Sequence, residues 1–282
     1  MGVKGGVEAV PLAIRQLLER DPSKVVISFD ARNAFNSLLR SKMLPALRKH
    51  APGLSPMAEA LYGQAAPLWF LTSKGVIQLF SECGVMQGDP LAGLYFAIGL
   101  KDSLEHIADH LKQDEALFAF LDDIFLVVDL NRVAEVTQVV KSELGTLNLD
   151  IRLDKSHVYS PNTPIPPDVP VFPPWSQEGI VVLGTPIGTD KFVNECLNER
   201  LGACQLLLDR IPDLDDLQSE LLLLRLCANT KLGYWGRTTP PSQLTPAALL
   251  FDAAIEKALV KVVGDTFEDE CRPFVGCRER IR

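Results

Sequence analysis

A chain of 282 residues suits one large domain or two small ones, and 47% hydrophobic with 23% charged residues supplies an ordinary globular core. No apolar run reaches the ~18 residues of a membrane span. The start MGVKGG has no secretory apolar region and, with Gly6, fails the myristoylation pattern, so a soluble intracellular protein is expected. A net charge of −8 argues against broad nucleic-acid binding, leaving that role to local basic stripes or to basic parts of a longer protein.

Residues 7–20 (VEAVPLAIRQLLER) carry apolar groups at helical spacing, with Pro11 marking a late start. After Asp21-Pro22-Ser23, the β-branched run Lys24 to Phe29 predicts a buried strand ending at Asp30. An amphipathic helix is predicted over 36–49, a break at Pro52-Gly53, a short helix over 57–64, and a hairpin over 68–82 turning at Ser73-Lys74-Gly75. Asp89-Pro90 predicts a capped helix start, running to about Leu111. Two apolar runs, 116–121 and 124–128, flank Asp122-Asp123 as a hairpin; Asn131 would cap the next helix, and 149–159 reads as extended. The proline-rich stretch 161–175 is an irregular boundary. A short strand, 180–183, ends at Gly184, and helices are predicted over 192–210, 214–232 and 245–263 before a charged tail.

The six cysteines (Cys83, Cys196, Cys204, Cys227, Cys271 and Cys277) form no CxxC pair, and the four histidines complete no zinc spacing. Buried free thiols are the expectation, with Cys271 and Cys277 as half of a metal site the lesser alternative.

Chemistry concentrates in three segments: VVISFDARNAF with Asp30, GVMQGDPLAG with Gln87 and Gly88, and FAFLDDIFLVV with Asp122 and Asp123. Three aspartates at the ends of apolar runs deliver hard oxygen ligands to one sheet edge, the donor type that suits divalent cations in phosphoryl transfer. Gly88 permits close backbone approach to a ligand, and Gln87 offers both a donor and an acceptor. Each segment also has a plain reading: a solvated turn for Asp122-Asp123, a capped helix for the Gln87 segment, a phospho-acceptor or surface acid for Asp30.

Taken together and in order, these segments resemble the palm of a reverse transcriptase, most like those of non-LTR retrotransposons. FDARNAF resembles the first palm motif, MQGDPLAGLYF the second, and FLDD the aromatic-x-Asp-Asp motif. LNLDIRLDKSHVY resembles the fourth, with its lysine at Lys155, and VVLGTPIG the fifth, a primer-side hairpin around Leu183-Gly184. The resemblance covers residues 2–190 or so.

It implies an α+β fold: a right-hand polymerase palm with truncated fingers over 1–190 and an all-helical thumb-like region over 191–282. It implies RNA-directed DNA polymerase activity, in which Asp30, Asp122 and Asp123, with the Ala31 carbonyl, hold two Mg²⁺ (or Mn²⁺). It further implies that Gln87 and Gly88 contact the nucleotide, that Phe35 excludes the ribose 2′-hydroxyl, and that Lys155 protonates the leaving pyrophosphate. RNA template, DNA primer and dNTP are the implied partners, with no membrane, and nuclear action follows from the resemblance alone. The basic fingers residues that grip the triphosphate lie upstream of the segment VKGGVEAV resembles, so a fragment lacking them is expected. Two other readings remain: a non-catalytic nucleic-acid-binding remnant, and an unrelated α/β interaction or phosphorelay protein.

Overall fold

A computed structural model describes residues 5–162 and 174–264. The chain divides into two compact units, one built mainly from Leu17–Ser176 and the other from Val7–Gln16 with the chain from Gln177 onward. Most of the proline-rich stretch, Cys271, Cys277 and the charged tail lie outside the described residues.

In chain order, the elements up to Ser176 are α1 (Gly6–Arg20), β1 (Lys24–Phe29), α2 (Ala34–Ser37), α3 (Arg40–His50), α4 (Ser55–Tyr62), β2 (Ala66–Thr72), β3 (Gly75–Ser81), α5 (Ala92–Asp109), β4 (Ala116–Phe120), β5 (Asp123–Asp129), α6 (Val133–Gly145), β6 (His157–Tyr159) and β7 (Trp175–Ser176). β8 (Gly179–Val182), β9 (Thr185–Gly188), α7 (Asp190–Arg210), α8 (Leu217–Leu223), α9 (Gly233–Thr238) and α10 (Pro241–Val263) follow.

In the first unit five strands form a sheet of order β4-β5-β1-β6-β7, with β1 antiparallel to both β5 and β6, and β2 and β3 pair separately. Its core joins Val25, Ile27 and Phe29 of β1 and Ile124, Leu126 and Val128 of β5 to Met43 and Leu47 of α3, Tyr95, Phe96 and Leu100 of α5, and Val136 and Val140 of α6. Alternate residues of two paired strands thus share one face, as the two-residue strand period requires. At the far end of β1, Lys24 is buried and donates to Asp129 at 2.7 Å and to Asp114. In the second unit, Val193 and Leu197 of α7, Trp235 of α9 and Phe251 and Ile255 of α10 form a separate core.

Several elements differ from expectation for identifiable reasons. Pro11 does not delay α1: Val7, the carbonyl a proline at position 11 cannot serve, instead accepts from the Tyr234 hydroxyl at 3.5 Å. The helix expected over 36–49 is two, because Leu38 takes an extended ψ of 126° while its side chain is fully buried. Asn131 caps nothing; Leu130–Arg132 forms a 3₁₀ turn and α6 begins after it. Leu153 to Lys155 form a turn, so 149–159 is not continuously extended. The helix expected over 214–232 ends at Leu223 and passes into a π-helical turn, Leu224–Ala228, whose end residues are buried in the core. Of the described cysteines, Cys83 and Cys227 are exposed and Cys196 and Cys204 half-buried, so none is a core thiol.

The β2–β3 hairpin closes as expected through Ser73-Lys74, but its apolar residues are not covered. Trp69 is 68% and Leu71 81% exposed, with Leu68, Phe70, Val76, Ile77, Leu79 and Phe80 exposed as well. Replacing Leu71 and Ile77 with Ser is therefore expected to change unfolding free energy by no more than about 0.5 kcal/mol. Phe96→Ala in the core should cost about 3–5 kcal/mol, both changes being read from urea unfolding titrations.

Candidate active site

β1 emerges from the core at Phe29 and delivers Asp30, half-buried, to the sheet edge. Phe29 pairs with Ile124, so one step further along the antiparallel register Asp30 comes opposite Asp123. The β4–β5 hairpin turns through Leu121-Asp122, with Leu121 at φ 58°, and pairs Phe120 with Asp123. Asp122 therefore sits on the turn and Asp123 at the first position of β5.

The backbone of Asp30 is pinned. Its amide donates to Ser156 Oγ at 3.2 Å, and its carbonyl accepts from the Arg152 amide at 2.7 Å. Arg32 donates its amide to the Asp150 carbonyl at 2.8 Å, so Ala31 and Ile151 form a bridge in which the neighbours make both bonds. The Ala31 carbonyl is left outside that pairing. Desolvation, and then the neighbouring Asp122 and Asp30 charges, push the Asp123 carboxyl above the ordinary aspartate range, although the residue as a whole is exposed.

The Gln87–Gly88 segment is an exposed turn flanked by buried anchors. Gly88 has φ 96°, and a Cβ there would meet nothing within 4 Å. Gly84, at φ 65°, has no such room: a Cβ would lie 2.3 Å from the Phe35 carbonyl oxygen. That closeness lets Gly84 donate to Leu38 O and Val85 to Phe35 O, both at 2.8 Å. Phe35 stacks on Phe96 with ring centroids 4.5 Å apart, and a Cβ on Gly93, near the start of α5, would lie 3.5 Å from Leu121. Phe35, the first turns of α5 and the β4–β5 turn are thus brought together.

Asp89 does not cap the helix as expected. α5 begins at Ala92 without a side-chain cap, and Asp89 instead accepts from the Leu91 amide at 2.8 Å and from the Tyr62 hydroxyl. Lys155 is exposed on the turn after Arg152 and makes no ion pair with the three carboxylates. Arg152, which sequence reasoning passed over, is the cation held beside the site. Its pairing with Asp154 first, and the charge of Asp30 more weakly, raise its pKa. Nothing in its spacing distinguished it from any solvated arginine.

Carboxylate oxygens are suitable donors for a hard divalent cation. Among the described residues, however, no three His, Cys, Asp or Glu side chains converge as a ligand cluster. The like-charge repulsion felt by Asp123 is the quantity such a cation would relieve.

This α+β arrangement, with a mainly antiparallel sheet carrying acids at its edge and helices packed on one face, is a fold of the reverse-transcriptase kind. The chain belongs to the reverse transcriptase (RNA-dependent DNA polymerase) family, which residues 5–187 match. That membership removes the reading of an unrelated α/β interaction or phosphorelay protein. No curated protein matches the chain.

Among solved structures, apo telomerase from Candida tropicalis is similar over 95% of this chain and 48% of its own, at 12% identity and a TM-score of 0.55. The same telomerase truncated from its C-terminal domain is similar over 67% of this chain and 39% of its own, at 15% identity and a TM-score of 0.51. The chain spans half or less of the length of these structures, and at such identities the likeness is one of fold.

Because the folded state holds the Asp123 proton more tightly than the unfolded chain does, ionisation as pH rises through its raised pKa costs stability. Asp123→Asn is expected to raise the thermal midpoint at pH 7. The gain should shrink toward zero as pH falls through the folded pKa to the model-peptide value of 3.8. Melting curves of both proteins across that range measure this.

Proposed function

We propose that the chain is an RNA-directed DNA polymerase domain of the non-LTR retrotransposon kind. Residues 1–190 would form its palm with truncated fingers, and 191–282 a thumb-like region. The observation that carries the reading is the opposition of Asp30 and Asp123, beside Asp122. The motif order and the family membership support it.

In this reading a primer 3′-hydroxyl oxygen attacks the α-phosphorus of a dNTP paired with an RNA template, and the bond to pyrophosphate breaks. Asp30, Asp122 and Asp123, with the Ala31 carbonyl, would hold two Mg²⁺, or Mn²⁺, which supply neutralisation of the charge developing on the phosphate oxygens. Gln87 and the open backbone at Gly88 would orient the nucleotide. Lys155 would give its proton to the leaving pyrophosphate, and its place on an exposed turn leaves it free to do so. Nuclear action belongs to the same proposal.

Asp122→Asn and Asp123→Asn should each lower dNTP incorporation on a DNA primer and RNA template by about 10²–10³-fold or more. Added Mg²⁺ should raise the thermal midpoint of the parent by more than that of Asp123→Asn, a readout independent of turnover. A variant incorporating at the parent's rate would overturn the assignment. Silence from parent and variant alike would favour the non-catalytic, nucleic-acid-binding remnant.

Phe35 stacks on Phe96 and would stand against the sugar. Phe35→Leu keeps an apolar side chain there but removes the ring. The ratio of ribonucleotide to deoxynucleotide incorporation is expected to rise about tenfold or more, read from competing-substrate extension.

A further inference from the structure

The loop that carries Gln87 and Gly88 is held by a buried group outside every motif described above. Tyr62, the last residue of α4, is 1% exposed. Its hydroxyl donates to Asp89 Oδ2 and accepts from the Met86 amide at 3.2 Å. One phenol oxygen therefore grips the loop on both sides of Gln87-Gly88.

The ring itself is fixed. The Arg40 guanidinium lies 5.2 Å from its centroid, and Tyr95 packs edge-on at 5.8 Å. Arg40, 6% exposed, donates Nε to the Gly84 carbonyl at 2.9 Å and its other nitrogens to Ser81 O at 2.7 Å and Ser81 Oγ at 2.8 Å. The run from Ser81 to Gly84 is tied to α3 and the run from Met86 to Asp89 to α4, leaving Gln87 and Gly88 as the exposed apex. A hydrogen bond from a neutral phenol to a carboxylate is among the stronger side-chain bonds, and here its donor is buried. Burial, first, and the bond to Asp89 push the Tyr62 pKa up to about 12, so the hydroxyl stays a donor at neutral pH.

We propose that Tyr62, clamped by Arg40 and bonded to Asp89 and Met86, is a positioning residue that sets the Gln87–Gly88 turn for the incoming nucleotide. The inference rests on the polymerase reading above for its substrate, but the clamp itself is a property of the loop and is tested separately.

Tyr62→Phe removes the oxygen and keeps the ring against Arg40 and Tyr95. Asp89→Asn leaves a single acceptor oxygen for two donors. In the full chain, hydrogen–deuterium exchange of the backbone amides from Met86 to Leu91 should accelerate about tenfold in Tyr62→Phe. Exchange in β1 and β5 should not change. In Mg²⁺-dependent primer extension, the KM for dNTP should rise about tenfold while kcat moves less than about threefold, the mark of lost ground-state positioning. Adding Asp89→Asn to Tyr62→Phe should change either readout little, because the lost hydroxyl has already removed the Tyr62–Asp89 bond that the two substitutions share.

Unchanged exchange over Met86 to Leu91 would overturn the clamp. Faster exchange with an unchanged KM would overturn the positioning of nucleotide. If the parent extends no primer, faster loop exchange still supports the clamp, and the silence counts against the polymerase reading.

Discussion

The pairing of β1 with β5 is the constraint from which the rest of the first unit follows. Six residue pairs run from Lys24 opposite Asp129 to Phe29 opposite Ile124. At one end a buried lysine meets a carboxylate. Desolvation disfavours its charge, but Asp114 and Asp129 together raise its pKa above the ordinary value. At the other end Asp30 comes opposite Asp123, and like charge meets like. A slip of one residue would turn Val25, Ile27 and Phe29 out of the core and separate both charge pairs. The attractive end and the apolar rows between hold the repulsive end in place, a common economy at functional sites.

The loop before α5 depends on a different device. Its shape comes from glycines and buried polar groups rather than from strand pairing. Gly84 lets the chain pass so close to Phe35 and Asn36 that any side chain there would collide with backbone. Arg40 and Tyr62 then satisfy carbonyls and an amide that would otherwise be stranded in the interior. The exposed Gln87 and Gly88 are thereby presented by rigid flanks, which suits a surface that must meet a ligand in one orientation.

Family and fold rest on separate grounds. The family comes from residues 5–187, where the acidic motifs lie. The likeness to Candida tropicalis telomerase, at 12–15% identity, concerns the path of the backbone and says nothing by itself about substrate. The acidic balance of the chain sharpens that distinction. With 36 acidic against 28 basic residues, a nucleic-acid partner would have to be met by local cations such as Arg152 rather than by overall charge.

Much of the site was legible in sequence because its signals are local. Short β-branched runs ending in an aspartate, and an acidic pair between two apolar runs, announce strand ends and a hairpin wherever they occur, and Asp30, Asp122 and Asp123 are found there. Two of the misses share one cause, which is a partner distant in the chain. Asp89 looked like a helix cap but is bonded to Tyr62, 27 residues earlier, and Pro11 is tolerated where Tyr234 reaches the Val7 carbonyl it leaves unserved, 227 residues before that tyrosine. By itself the sequence determined which residues end each apolar run and which of them carry charge, since those follow from spacing and residue type. Only the tertiary structure decided that Asp30 faces Asp123, and that Tyr62 and Arg40 hold the loop, because strand register and buried hydrogen bonds depend on which distant segments meet.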